Sequence, residues 1–319
     1  MLYNIGMYNT KLTVIIPAFN EELTINNSLR KCLELRSSFS KLEIIVVNDG
    51  SSDNTSSIVN ELSKEFSCIY LINLAINSGH MSALSAGFKH ASGDWIATID
   101  ADGQDNPMLI LEMYLRTVSS NADICYTKRK NRNSDSQIHK FFSPLFYKII
   151  TRATNGDSVY QSADFRLISR RVLATINSLP EVNRMYRVLI PTLGYKSVII
   201  EYERDLRSAG ESKYNFRSLF RLGVKSILAT TGAPLRWVSL ISLFSSLFAL
   251  VVTTVALIQG FFYHSVPGWA SISFIISIMF FLQSISSLVV SEFLLILLAD
   301  VRQRPIYQLA GKNETISTQ

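Results

Sequence analysis

Two apolar runs that each end in carboxylates and a glycine constrain this chain more than any other feature. Ile44-Ile45-Val46-Val47 runs into Asn48-Asp49-Gly50-Ser51-Ser52-Asp53, and Trp95-Ile96-Ala97-Thr98-Ile99 runs into Asp100-Ala101-Asp102-Gly103. A short, continuously apolar run is the pattern of a strand covered on both faces, as in a parallel sheet. Similar runs at 12–17, 68–74 and 198–202 alternate with polar, helix-like stretches. That rhythm predicts βαβ units and an α/β fold with a mostly parallel sheet. Ligands of such sheets bind beyond the carboxyl ends of the strands. The acids are therefore expected at the mouth of a cleft, where Asp100 and Asp102, one residue apart, suit a divalent cation carrying a diphosphate. Asn20 is expected to cap a helix with Glu21 and Glu22 in its first turn, and Asp53 or Asn54 to cap the next. Residues 130–163 are polar and basic with aromatic interruptions and give no firm pattern.

Near residue 237 the character changes. Residues 237–263 and 271–299 are almost uncharged, and each exceeds the ~20 residues that span a bilayer. The connection at 260–270 holds no Lys or Arg, whereas Arg236 precedes the first segment and Arg302 and Arg304 follow the second. The positive-inside rule then predicts a transmembrane hairpin with both termini cytoplasmic. Ahead of it Lys213, Arg217, Arg221 and Lys225 recur every four residues, with Phe216, Leu219, Phe220, Val224, Ile227 and Leu228 on much of the other side. This is the pattern of an amphipathic helix lying in the headgroup layer. The expected organisation is a flexible leader at 1–10, a catalytic domain at 11–212, an interfacial helix at 213–233, two transmembrane helices within 234–300 and a cytoplasmic tail at 301–319. No basic segment followed by an apolar run opens the chain, so no cleaved signal is expected.

The 319 residues carry a formal net charge of +6. Beside two membrane segments, that balance favours anionic lipid and phosphorylated substrates over nucleic acid. The three cysteines, Cys32, Cys68 and Cys125, share no metal-ligand spacing and read as reduced, buried small hydrophobes.

Pro17-Ala18-Phe19-Asn20-Glu21-Glu22, Asn48-Asp49-Gly50-Ser51-Ser52-Asp53-Asn54-Thr55 and Asp100-Ala101-Asp102 resemble the signature of glycosyltransferase family 2 on the GT-A fold. Asp164-Phe165-Arg166-Leu167 and Arg204-Asp205-Leu206-Arg207-Ser208-Ala209-Gly210-Glu211-Ser212-Lys213-Tyr214 resemble its polyprenyl-phosphate glycosyltransferases, the group of bactoprenol glucosyltransferases and dolichol-phosphate mannose synthases. Pro234-Leu235-Arg236 and Val301-Arg302-Gln303-Arg304-Pro305-Ile306-Tyr307 resemble the bacterial two-span branch.

The resemblance implies inverting transfer of a sugar from a UDP-sugar to undecaprenyl phosphate. It places the reaction on the cytoplasmic face of the inner membrane, in lipopolysaccharide, O-antigen or other cell-envelope modification, with Mg²⁺ or Mn²⁺ as cofactor. By the same resemblance Pro17, Asn20, Glu22, Asp49, Asn77, Asp100 and Arg129 bind the nucleotide sugar, Asp49 accepting from the base, and Asp100 and Asp102 hold the metal. Arg204, Arg207, Ser212 and Lys213 bind the acceptor phosphate, and Asp164, Asp102, Arg204 and Arg207 are the catalytic set. Asp164 is implied either as a base or as a group orienting Arg166 or a sugar hydroxyl. A phosphomonoester is largely dianionic at neutral pH and hardly needs a base. A second copy of the chain and a flippase are further partners left open.

The pattern departs from the family at Ile76 and His80, where the family has cations, and at Gly103, Asn106 and Leu295-Ile296. These positions bear on the donor sugar more than on the reaction class. Two rival readings are a processive polysaccharide synthase and a catalytically inactive membrane scaffold partnering a flippase. The first carries Gln-x-x-Arg-Trp, where this chain has Ala233 ahead of Arg236-Trp237. Retention of Asp100, Asp102, Asp164, Arg204 and Arg207 argues against the second.

Overall fold

The computed structural model of the protein describes residues 7–129, 164–180, 184–203, 268–302 and 305–310, with isolated positions between 240 and 251. The chain divides into two compact units, residues 1–215 with 304–319, and residues 216–303.

The strands of the first unit are β1 (Tyr8–Ala18), β2 (Phe39–Asn48), β3 (Ile69–Asn73), β4 (Trp95–Thr98), β5 (Ile124–Arg129), β6 (Arg166–Ser169) and β7 (Ser197–Tyr202). They form one sheet in the order β3-β2-β1-β4-β6-β5-β7. β1, β2, β3 and β4 pair in parallel, as do β5 and β7, while β6 runs antiparallel to both neighbours. The helices are α1 (Ile25–Leu33), α2 (Thr55–Glu65), α3 (His80–His90), α4 (Leu109–Ser119), α5 (Arg170–Ser178) and α6 (Tyr186–Thr192).

Period-two geometry sends alternate side chains of each strand to opposite faces. Val14, Ile16, Ile44 and Val46 join Ile25, Leu29, Val59, Ile110 and Met113 in one core cluster. Ile15, Ile45 and Val47 join Ala83, Phe88, Val172 and Ile176 in the other. Helices on both faces thus explain why the central strands read as unbroken apolar runs. Cys32 and Cys125 are fully buried free thiols, and burial pushes each up to about 12.

The strands expected from the apolar runs are present, but β5 and β6 add an insertion that the runs did not announce. The capping expectation at Asn20 is corrected. Asn20 has a φ of 54° and α1 begins only at Ile25, preceded by a turn in which Thr24 and Ile25 N–H donate to the Glu21 carbonyl. The Asn20 side chain is instead taken by the Ser52 amide. At α2 the N-cap is Asn54, whose side chain makes no capping bond, and the Asp53 carboxylate ahead of it accepts from Thr55 N–H (3.0 Å).

The second unit contains α7 (Trp269–Arg302), 34 residues long. Its segment Ile278–Leu298 has a mean hydropathy of 2.0, and among the described residues it is the helix long and apolar enough to cross a membrane. It stands where the second span was expected. Of the first expected span, Leu240, Phe244, Leu247, Phe248 and Val251 are helical and exposed. The rest of that span and the interfacial helix at 213–233 lie outside the described residues, so the two-span hairpin stays an expectation.

Part of the segment expected as a tail at 301–319 is packed on the sheet. Residues 305–310 belong to the first unit, where Leu309 forms an antiparallel bridge with Leu74 beyond the edge strand β3.

At the opposite end of the sheet, the buried Thr13 and Glu43 form a polar knot with the exposed Ser92. The Thr13 hydroxyl donates to Glu43 (2.5 Å), and Gly93 N–H donates to Thr13 Oγ1 (2.8 Å). A Cβ on Gly93 would stand 2.7 Å from the Thr13 nitrogen and 2.8 Å from the Trp95 carbonyl. These are backbone atoms, so Gly93→Ala should cost about 1–3 kcal/mol and lower the unfolding midpoint of the full chain in detergent by roughly 2–12 °C. An unchanged midpoint by circular dichroism would contradict this packing.

Candidate active site

β2 and β3 leave β1 on one side and β4 on the other, so the strand order reverses between β1 and β4. Such a switch point opens a crevice at the strand carboxyl ends. Two loops interlock at its rim. Asn20 N–H donates to Ser51 Oγ (3.0 Å) and Ser52 N–H to Asn20 Oδ1 (2.9 Å). Glu22 N–H donates to Asp53 Oδ2 (3.1 Å), and Asn54 N–H donates to Glu22 Oε2 (3.1 Å). Asn is one of the few residues that visit the left-handed region without heavy penalty, and such conformations gather at functional sites.

Asp49, at the end of β2, is 3% exposed. Its Oδ1 accepts from Ser78 N–H (2.7 Å) and its Oδ2 from Gly79 N–H (2.9 Å). Burial pushes its carboxyl up, and these two amides partly offset that. Each oxygen keeps a second lone pair, so further acceptor capacity remains. Gly50 has a φ of 68°, and a Cβ there would meet the Asn77 nitrogen at 2.6 Å. Glycine is thus required where the Asp49 turn passes under the 76–79 loop.

Asp100 and Asp102 follow β4, with Gly103 at a φ of 69° completing the expected turn. Burial pushes the Asp100 carboxyl up; His80 opposes this, while Asp164, Asp105 and Asp102 add to it. Asp105 is 2% exposed and accepts from the Tyr202 hydroxyl (2.6 Å). The motif reading overlooked it, although its place three residues after Asp102 was visible. Crowded carboxylates that raise one another's proton affinity also favour a divalent cation, so the donor set fits the implied metal. Among the described residues no three His, Cys, Asp or Glu side chains stand together as a complete metal site.

Asp164 stands ahead of β6 beside this cluster. Its Oδ1 accepts from Arg166 Nη2 (2.6 Å), its Oδ2 accepts from Arg187 Nη2 (2.7 Å), and His80 Nε2 lies 4.0 Å away. Burial alone would raise it, but Arg187 and then Arg166 hold its carboxyl well below the usual carboxylate range. Such a group stays ionised and is a poor proton acceptor. His80 opens α3, and its enclosed Nε2 has no hydrogen-bond partner among the described residues. Arg187 carried no sequence signal, because nothing in the motifs linked it to Asp164.

The remaining expected residues divide in two. Pro17 is buried in β1 opposite Val47, and Asn77 is exposed in the loop beside Gly50. Arg129 ends β5 opposite Tyr202, with its side chain outside the described parts. Arg204, Arg207, Ser212 and Lys213 lie outside the described residues.

This architecture has recognisable relatives. Residues 13–176 match the description Glycosyl transferase family 2. The chain is 32% identical over 311 residues to a prophage bactoprenol glucosyl transferase homolog of Escherichia coli (strain K12), covering 93% of this chain and 97% of that one. The fold resembles that of the mannosyltransferase PcManGT from Pyrobaculum calidifontis in complex with GDP-Man and Mn²⁺, with a TM-score of 0.51, 16% identity, and 92% and 88% of the two chains covered. It also resembles glucosyl-3-phosphoglycerate synthase from Mycobacterium tuberculosis in complex with Mn²⁺, UDP and glucosyl-3-phosphoglycerate, with a TM-score of 0.50, 16% identity, and 70% and 80% covered. The first unit therefore has the GT-A fold, and the chain belongs to glycosyl transferase family 2.

Proposed function

We propose that this glycosyltransferase moves a sugar, with inversion, from a UDP-sugar to undecaprenyl phosphate at the cytoplasmic face of the inner membrane. The observation that carries the reading is that Asp49 follows β2 and Asp100 and Asp102 follow β4, beyond the carboxyl ends of the two strands that flank β1, with His80 near enough to bias both Asp49 and Asp100. The bactoprenol-linked relative supports the lipid acceptor, the structural neighbour in complex with UDP supports the donor, and the apolar helix α7 supports membrane residence. The proposed organisation is a catalytic domain at 11–212, an interfacial helix at 213–233, spans at about 237–263 and 271–299, and cytoplasmic termini. Cell-envelope or lipopolysaccharide modification is the process it would serve.

In this reading Asp49, with Pro17, Asn20, Glu22 and Asn77, encloses the nucleoside, and Arg129 supports the phosphates. Asp100 and Asp102 hold Mg²⁺ or Mn²⁺, which when bound neutralises the charge developing on the departing diphosphate. An acceptor phosphate oxygen attacks the anomeric carbon as the bond from that carbon to the UDP oxygen breaks. The acceptor is already anionic, so Asp164 need not take a proton. Asp164 instead positions Arg187 at the cleft and keeps the buried Arg166 compensated. Arg204, Arg207, Ser212 and Lys213 receive the acceptor phosphate. The direct test is to incubate purified membranes with undecaprenyl phosphate and a panel of nucleotide sugars, then identify the lipid product by mass spectrometry. Absence of any glycosylated lipid would overturn the reading.

Three outcomes are expected. Asp102→Ala should lower kcat by about 10²–10³ while leaving the unfolding midpoint near that of the parent. Retained turnover in the presence of a chelator would refute the carboxylate–metal assignment.

Asp164→Asn should act on stability as well as activity. It strands the Arg166 guanidinium, at a cost of roughly 3–5 kcal/mol, or a midpoint about 6–20 °C lower. The folded-state carboxyl lies below its unfolded value. Its contribution is therefore complete above about pH 4 and is lost as the pH falls through the folded-state value. The gap between parent and variant should thus be full at neutral pH and close only in acid; a gap that widens on acidification would contradict the ion pairing.

Arg204→Lys and Arg207→Lys should each weaken lipid-phosphate turnover about tenfold, the loss of one charged hydrogen bond of ~1.5 kcal/mol, because lysine lacks the planar fork. UDP affinity by calorimetry should stay level. A collapse of UDP binding with normal acceptor dependence would move these residues to the donor side.

A further inference from the structure

The segment 305–310 touches no cleft ligand position, yet its contacts converge on the loop that builds the cleft. Ala75 N–H donates to the Gln308 carbonyl (2.8 Å), and Ala310 N–H donates to the Asn73 carbonyl (2.9 Å). With the Leu74–Leu309 bridge, these bonds pair the tail antiparallel with the chain just past β3, the sheet edge. Tyr307 is half-buried against the core cluster that contains Leu74, Tyr186 and Ile190. Tyr186 and Arg184 lie close enough to bias its phenol.

Both anchor points lead into the site. Two residues past Ala75, the chain enters Asn77-Ser78-Gly79-His80, whose Ser78 and Gly79 amides hold both oxygens of Asp49. Asn73 carries a second link, since its Oδ1 accepts from Asn48 Nδ2 (2.9 Å), and Asn48 Oδ1 in turn accepts from Ser51 N–H (3.1 Å) across the Asp49-Gly50 turn. Tyr186, for its part, immediately precedes Arg187, the partner of Asp164. The tail therefore bridges the loop that holds Asp49 and the start of the helix that bears Arg187.

From this arrangement we infer that residues 306–310 form a positioning strap for the donor site, fixing the 76–80 loop so that Asp49 meets a nucleoside diphosphate without first ordering that loop. Tyr307, the Gln308 carbonyl and the Ala310 amide are its fastenings. An ordered loop spares the ligand the entropy of fixing it, so loosening the strap weakens donor binding and leaves the cleft residues in place. The donor assignment rests on the function proposed above; the ordering of the loop does not.

The test uses the full chain in detergent, with Tyr307→Ala, Ala310→Pro and Tyr307→Phe. Ala310→Pro deletes a single edge donor, and Tyr307→Phe keeps the packing. Amide hydrogen exchange is followed without ligand, and UDP affinity is measured by calorimetry. The expected result for the first two variants is exchange at Ser78 and Gly79 faster by about tenfold or more, and UDP binding weaker by a similar factor, with Tyr307→Phe close to the parent. The inference is overturned if, in either of the first two variants, the Ala75 amide exchanges freely while Ser78 and Gly79 stay protected. It is also overturned if Tyr307→Phe behaves like Tyr307→Ala. Should the parent bind no UDP while the exchange result holds, the donor reading fails and the strap stands.

Discussion

The cleft depends on a guanidinium taken out of water. Arg166 is 1% exposed, the largest fully buried side chain among the described residues, and it sits in the antiparallel strand β6. Burying such an ion costs several kcal/mol unless its donors are met with good geometry. Here Nη2 donates to Asp164 Oδ1 and Nη1 to the Tyr186 carbonyl (3.0 Å). The Asp164 carbonyl also accepts from Thr98 Oγ1 (2.5 Å). The end of β4, the start of β6 and the start of α6 are thereby locked together. Apolar side chains of similar volume would often serve stability as well. What they would not supply is an ionised Asp164 held beside Arg187 and His80.

Three carboxylates of one cleft differ because their surroundings differ. Asp49 is buried, and its two amide donors only partly offset that burial. Asp100 is flanked by Asp102, Asp105 and Asp164 and is pushed the same way. Asp164, equally enclosed, is driven in the opposite direction because Arg187 and Arg166 outweigh burial. The cleft thus has a pole that favours binding positive charge and a pole where positive charge is already committed. A nucleoside diphosphate with its cation suits the first pole. The second offers a fixed ion-pair network rather than a proton acceptor.

The parts of the fold written as apolar runs were legible. The inner stretches of β1, β2 and β4 at 12–17, 44–47 and 96–99 are buried and almost wholly apolar, and acids mark the ends of the last two. β5 and β6 were not. Ile124–Arg129 ends in Lys128 and Arg129, and the four residues of β6 begin with a buried arginine whose partners come from other segments. A charged residue in a strand is read as exposed until its partner is known. Asn20 misled for a related reason: its side chain is compatible with a helix cap, but the Ser52 amide from the neighbouring loop claimed it. Arg187 carries no local pattern, and the resemblance that includes Tyr307 says nothing of its packing, because each acts through contacts that bridge distant parts of the chain.

Much of the crevice is shaped by backbone groups rather than by side-chain identity. Asp49 is gripped by two main-chain amides, the loops bearing Asn20 and Ser52 exchange main-chain donors, and the strap is fastened by main-chain bonds. Such contacts ask little of the residues that supply them beyond the right conformation. They ask for glycine only where the backbone approaches too closely for a Cβ, as at Gly50. A crevice of this kind tolerates wide sequence change, which fits a common fold at 16% identity. The carboxylates proposed to carry the chemistry, Asp100, Asp102 and Asp164, stand among neighbours that tune them, Asp100 upward and Asp164 downward. His80 and Ile76, which replace cations of the family pattern, line the same loop that the strap holds. The bonds that anchor this loop are main-chain ones, so on the proposed function these two side chains are where it would differ toward a donor.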